Sequence, residues 1–174
     1  MSETVIKLAD LVARKAPPAF VLSEAERHEI EHALGHYPDS RAASIDVLKT
    51  VQKHRGWVPD EAIPVLAEII GMGAAELDGV ATFYPLIFRR PVGRHVIKVC
   101  DSIACFLTGY EEVKTALQQA LGIGYGQTTA DNRYTLLPIC CLGACDKGPV
   151  LMIDDDTHGN LDPQSAVALL ERYA

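Results

Sequence analysis

Ala43, Val47 and Val51 recur at four-residue spacing, and Leu48 widens their stripe. That is the period of a helix with one buried face. The stripe predicts a helix capped by Asp39 or Ser40 and running through Lys53. Before it, after a Pro17-Pro18 break, Ser23 and Glu26 make the S-x-x-E capping box, in which each side chain accepts from the other residue's backbone N–H. A helix is expected from there to about Gly35. A third should start after Asp60 as N-cap and end at Gly71, since Pro64 then lies in the first turn, where a missing N–H costs little. Ala74 to Leu77 predicts one or two further turns before Gly79.

The pattern changes from Gly93. His95 to Val99 reads as a strand, and Tyr110, Val113, Leu117 and Leu121 then give a helical stripe ending at Gly122. Tyr134 to Leu137 and Val150 to Ile153 read as two more strands. Asp162-Pro163 supplies an N-cap followed by proline at the first helical position, opening a last helix that carries Ala166, Leu169 and Leu170. The order β-α-β-β-α suggests a small layered α/β domain behind a helical first half, with the boundary at Arg89 to Gly93.

Composition narrows the function. A chain of 174 residues, 48% hydrophobic, makes one or two small domains and can bury an apolar core without disulfides. It carries 16 basic against 23 acidic residues, a formal charge of -7 with no basic patch, which argues against a nucleic-acid groove. Glu3, Lys7, Asp10, Arg14 and Lys15 break up the apolar centre a secretory signal needs, so the chain is expected in the cytoplasm. Its uncharged runs, Gly79 to Phe88 and Tyr134 to Cys145, fall short of the roughly 20 apolar residues of a spanning helix, so no direct membrane insertion is expected.

All five cysteines lie in the second half, as Cys100-Asp-Ser-Ile-Ala-Cys105 and Cys140-Cys141-Leu-Gly-Ala-Cys145. In a reducing compartment they suit metal ligation or redox chemistry better than structural disulfides. Each group follows a predicted strand, so pairing of those strands would bring the exit loops, and four thiolates, to one place. Soft sulfur ligands select Zn²⁺ or an iron-sulfur cluster. The four-residue gaps are wide for a zinc knuckle and suit a [2Fe-2S] cluster, whose two irons take two sulfurs each. Free or redox-active thiols are a third alternative, weakened because neither pair is C-x-x-C. Counting does not separate Cys140 from Cys141. Gly143, Ala144 and Gly148 are small enough to let backbone N–H groups approach the sulfurs.

Other motifs have plainer readings. His28-Glu-Ile-Glu-His32 matches H-E-x-x-H, but Pro38 stands where an extended zinc motif needs a third histidine, and Glu24, Glu26, Arg27 and Glu31 mark a solvated helical face. His36 adds an imidazole along the same stripe. Gly122-Ile-Gly-Tyr-Gly126 follows a helix and lacks G-x-G-x-x-G spacing, so it reads as a loop rather than a dinucleotide site. Trp57 and the run Val80 to Phe88 read as a mixture of core and partner contact, and Asp154-Asp-Asp156 as a solvated acidic turn.

The run Gly79-Val-Ala-Thr-Phe-Tyr84, with Pro91-Val-Gly-Arg-His95, Cys100-Asp-Ser-Ile-Ala-Cys105 and Cys141-Leu-Gly-Ala-Cys145-Asp-Lys-Gly-Pro149, resembles the E subunit family of bacterial NADH:quinone oxidoreductase, respiratory complex I. The resemblance extends through Arg41-Ala-Ala-Ser44, His54-Arg-Gly-Trp-Val-Pro-Asp60 and Leu170-Glu-Arg-Tyr173. It implies an α+β chain: an extension over residues 1–22, a helical bundle over 23–90 and a thioredoxin-like [2Fe-2S] ferredoxin domain over 91–174. The family pattern, C-x4-C then C-x3-C, maps the cluster ligands onto Cys100, Cys105, Cys141 and Cys145, leaving Cys140 a bystander. It further implies an electron carrier with no catalytic acid or base and no substrate site of its own. FMN and NADH would be bound by a partner, the NADH-oxidising F subunit, in the peripheral arm of a complex at the cytoplasmic face of the inner membrane, alongside further peripheral-arm subunits. A similar module serves NAD-linked hydrogenases and formate dehydrogenases.

Overall fold

The computed structural model describes residues 20–173, so the Pro17-Pro18 break and the extension through residue 19 lie outside the described residues. The chain divides into two compact units, Met1–Arg89 and Arg90–Ala174.

The first unit is helical. Helix α1 (Glu24–Leu34) opens with the full Ser23/Glu26 capping box. Asp39 accepts from the Arg41 N–H at the head of a 3-10 turn, Ser40–Ala43, and α2 (Ser44–Arg55) follows directly. Ala43, Val47, Leu48 and Val51 are all buried, as their spacing requires. Helix α3 (Ala62–Ile70) starts one residue later than expected, with Glu61 at its N-cap and Pro64 in its first turn, and ends on Gly71 in the left-handed conformation. Asp60 is instead engaged by the Arg89 guanidinium at 2.7 Å. Helix α4 (Ala74–Phe83) is longer than expected, because Gly79 faces open space and is tolerated inside it. The faces of α1 to α4 close on one core containing Ile30, Leu48, Leu66, Ile70 and Leu77.

The second unit is a five-stranded sheet in the order β2-β3-β1-β4-β5. Strand β1 (His95–Cys100) is followed by α5 (Ile103–Leu107) and α6 (Tyr110–Leu121), then β2 (Gln127–Thr128), β3 (Tyr134–Ile139), β4 (Leu151–Ile153), β5 (Asp156–His158) and α7 (Pro163–Leu169). The order β-α-β-β-α is therefore incomplete. It omits α5, too short for a helical stripe, and two short polar edge strands, β2 and β5. Strands β1 and β3 run parallel, and all other pairs are antiparallel. Alternate residues Ile97 and Val99, Tyr134 and Leu136, and Leu151 and Ile153 form one core with Val113 and Leu117 of α6 and Ala166 and Leu169 of α7. Asp162 caps α7 with its own capping box. The acidic turn is no freely solvated loop: Asp154 accepts from the Val96 N–H, and Asp156 begins β5.

Candidate metal centre

The cysteine loops meet because of the parallel register. Cys100, the last residue of β1, pairs with Ile139, the last residue of β3, so both strands finish at the same end of the sheet. The Asp101 N–H donates to the Ile139 carbonyl at 3.0 Å, and the Cys100 thiol donates to the Cys140 carbonyl at 3.2 Å. The backbone of the second cysteine group thus lies against the first.

Cys105 sits within α5 and, like Cys100, is buried. Cys140, Cys141 and Cys145 are exposed, the last opening a 3-10 turn, Cys145–Lys147. Cys141 Sγ lies 3.6 Å from Cys145 Sγ. Two sulfurs bound to one tetrahedral metal at about 2.3 Å would lie about 3.8 Å apart, so this pair already has ligand-like spacing. The Gly143 N–H donates to Cys141 Sγ at 3.4 Å, with Gly143 at φ 79° in the conformation that glycine adopts most readily.

Three of these thiols are perturbed by their neighbours. Burial, reinforced by the neighbouring Cys100 thiol, pushes Cys105 up to about 11. The Gly143 N–H and then the Cys145 thiol lower the pKa of Cys141, and the Cys141 thiol and its charge raise that of Cys145. The Cys100 thiol also raises the pKa of Cys105 and Cys145 and lowers that of Cys141, so it lies within reach of all three. Ionising all four together would need a cation among them to offset their mutual repulsion, which is the chemistry of a metal centre. Among the described residues, no three His, Cys, Asp or Glu side chains are gathered tightly enough to hold a single ion. Two cysteine pairs, one of them already at ligand-like spacing, match the two sulfurs per iron that a [2Fe-2S] cluster takes.

His28, His32 and His36 belong to the first unit, on α1 and just after it. The His32 and His36 rings meet edge to face at 4.6 Å on the first unit. Gly122 caps α6 in the left-handed conformation and leads into a loop. Of the apolar run, Ala81 and Ile87 are buried, whereas Phe83 is 77% exposed and Tyr84 and Leu86 are also exposed; Trp57 is half-buried. Sequence reasoning missed α5, whose Ile103, Phe106 and Leu107 are exposed around the buried Cys105. Three large apolar residues in five positions were the signal available there.

The sheet order, with the two cysteine-bearing loops following β1 and β3 at the same end of the sheet, fits an iron-sulfur protein of the ferredoxin class. The chain belongs to the thioredoxin-like [2Fe-2S] ferredoxin family, whose model matches residues 30–174. It is 62% identical over 154 residues to the E subunit of NADH-quinone oxidoreductase from Pseudomonas aeruginosa, covering 88% of this chain and 93% of the relative. The corresponding protein of Escherichia coli is 59% identical over 155 residues, covering 89% and 93%. Among solved structures, an NAD+-reducing [NiFe]-hydrogenase in the H2-reduced state is similar over 75% of this chain and 22% of its own, at 25% identity and a TM-score of 0.63. The family supports the iron-sulfur alternative over zinc. No helix among the described residues is long and apolar enough to cross a membrane.

Proposed function

We propose that the chain is the electron-transferring E subunit of an NADH:quinone oxidoreductase. Its ligands are Cys100, Cys105, Cys141 and Cys145, and its electron partner is a separate F subunit that binds FMN and NADH. When bound, a [2Fe-2S] cluster supplies reversible one-electron chemistry. The protein's own residues do the rest. Two thiolates come from the β1–α5 segment and two from the loop after β3. The Gly143 N–H donates to Cys141 Sγ, which favours added negative charge. Cys141 and Cys145 lie exposed and leave an edge open to a partner. The chain's place is the cytoplasmic peripheral arm of the complex, with further peripheral-arm subunits.

The observation that carries this reading is the parallel β1–β3 register, which finishes both cysteine-bearing strands at one end of the sheet. It is tested with single serine variants of the purified chain, measuring iron, sulfide and the EPR signal after reduction. Cys100→Ser, Cys105→Ser, Cys141→Ser and Cys145→Ser lose or distort the signal, and Cys140→Ser keeps it. Loss with Cys140→Ser and retention with Cys141→Ser overturns the ligand set.

The fold shared with the NAD+-reducing hydrogenase favours a second setting, the NADH-oxidising module of an NAD-linked hydrogenase or formate dehydrogenase. Proteins purified with the chain from its native membranes discriminate the two: quinone-reducing membrane proteins support the first, and components of a hydrogenase or formate dehydrogenase support the second.

A further inference from the structure

Gly148 and Gly159 leave room for the segments that pack at the Cys145 turn. A Cβ at Gly148 would lie 2.6 Å from Thr108 Oγ1, and one at Gly159 would lie 2.6 Å from Lys147 Cβ and 2.8 Å from the Lys147 carbonyl oxygen. Neither glycine is in the left-handed region, and Gly148, at φ -60° and ψ 147°, has a backbone that alanine adopts freely. What both contribute is absent volume.

The neighbours they admit are themselves fixed. The Thr108 hydroxyl donates to the carbonyls of Ala104 at 2.9 Å and Cys105 at 3.2 Å, so it is tied to the backbone of the first cysteine segment. The Asn160 N–H donates to the Lys147 carbonyl at 2.5 Å, tying the segment after β5 to the Cys145 turn. The Thr108–Gly148 contact is therefore a point at which the segment bearing Cys105 meets the segment bearing Cys145.

We propose that Gly148 and Gly159 are positioning residues that set the spacing between the two cysteine pairs; this rests on the reading that Cys100, Cys105, Cys141 and Cys145 hold the cluster. Relieving a 2.6 Å contact to an ordinary 3.4 Å needs a displacement of roughly 0.8 Å, whereas metal-ligand distances tolerate only about 0.2 Å. At Gly148 the Thr108 hydroxyl can yield only by giving up its hydrogen bonds. At Gly159 the obstacle includes backbone, which no rotamer relieves.

The test uses the full-length, cluster-loaded protein and reads the EPR g-values of the reduced form, the midpoint potential, and the rate at which a chelator bleaches the visible absorption. Gly148→Ala and Gly159→Ala shift the g-values and the potential and bleach about tenfold faster, as overpacking of this size implies. Thr108→Ala/Gly148→Ala returns towards wild type, because the new methyl then faces Thr108 Cβ at 3.6 Å, an ordinary contact. Gly79→Ala, facing open space, changes none of the three. If Gly148→Ala does not fold, the double variant decides: Thr108→Ala/Gly148→Ala that folds and holds the cluster supports the spacing role of this contact, and a double variant that fails as the single one does overturns it. Wild-type g-values, potential and bleaching in Gly148→Ala and Gly159→Ala overturn the spacing role and leave the cysteine assignment standing. A wild-type protein without iron and sulfide removes that assignment and the spacing role with it.

Discussion

The backbone N–H of Gly143 points at Sγ of Cys141 from 3.4 Å. A hydrogen bond to a ligand sulfur stabilises the more negative, reduced state and so raises a cluster's potential. Gly143 makes this contact from φ 79°, which costs a side-chain-bearing residue about 1–2 kcal/mol. Gly143→Ala is therefore expected to relax away from that conformation, lengthen the hydrogen bond and lower the midpoint potential. Redox titration followed by EPR measures it; an unchanged or raised potential contradicts the role given to this N–H.

The two ends of the site should differ in reactivity once the metal is removed. Cys141 is exposed and its thiol is made more acidic by the Gly143 N–H, whereas Cys105 is buried, with its pKa pushed up to about 11. Alkylation needs both access and thiolate, so cluster-free protein at neutral pH should react at Cys141 at least about tenfold faster than at Cys105. Peptide mass spectrometry after timed iodoacetamide treatment checks the order. Equal rates would mean that Cys105 is not held buried once the metal is removed.

Much of the scaffold was legible because its signals are local. The Ser23/Glu26 box and the Asp162-Pro163 start are written in adjacent residues, and both appear as full capping boxes. The stripe through Val47, Leu48 and Val51 required burial on one face, and all three are buried. Short elements escaped for the converse reason. Helix α5 spans five residues and β2 two, too few for a helical or a strand period to repeat. Gly79 read as a stop, although a glycine facing open space inside a helix costs only about 1 kcal/mol.

The candidate centre divides in the same way. Cysteine spacing pointed to two thiolate pairs, and the expectation that neighbouring strands would unite them corresponds to the Cys100–Ile139 register. The approach of Thr108 to Gly148 and of Lys147 to Gly159 depends on how distant segments pack, which spacing does not encode.

Asp154 makes the acidic turn structural and should be costly to remove. Its backbone is at φ 52°, its carboxylate accepts from the Val96 N–H at 2.9 Å, and its other oxygen lies 2.6 Å from His95 Nδ1. Asp154→Ala leaves the Val96 donor unpartnered and forces alanine into the left-handed region, a loss of about 2–4 kcal/mol. Asp154→Asn keeps an acceptor and tolerates the conformation, so it should lose about half as much or less. Urea denaturation followed by far-UV circular dichroism measures both; equal losses would assign the effect to the missing charge beside His95 rather than to the turn.

The helical unit carries a buried carboxylate whose contribution depends on pH. Glu26 accepts from Arg55 Nε at 2.5 Å and from the second guanidinium nitrogen at 2.7 Å, and it also accepts the Ser23 N–H at 2.7 Å. The Arg55 hydrogen bonds, opposed by burial and helped by Ser23, lower its pKa from the usual 4.5 to about 2. Above pH 4.5 the carboxylate is ionised in the folded and unfolded chain alike, and its stabilisation is complete. As pH falls from there towards 2, the unfolded chain takes up a proton that the folded chain refuses, and the stabilisation is lost. A shift of this size corresponds to about 3 kcal/mol. Glu26→Gln should therefore lower the stability of the helical unit at pH 7 by a few kcal/mol, with part of the loss coming from the unpaired Arg55. The gap between variant and wild type should shrink below pH 4.5. Trp57, the chain's only tryptophan, lies in this unit, so its fluorescence during urea unfolding at pH 7 and pH 3 reads the difference directly. A gap that stays constant between those two pH values would show that Glu26 contributes through packing and helix capping, and not through its charge.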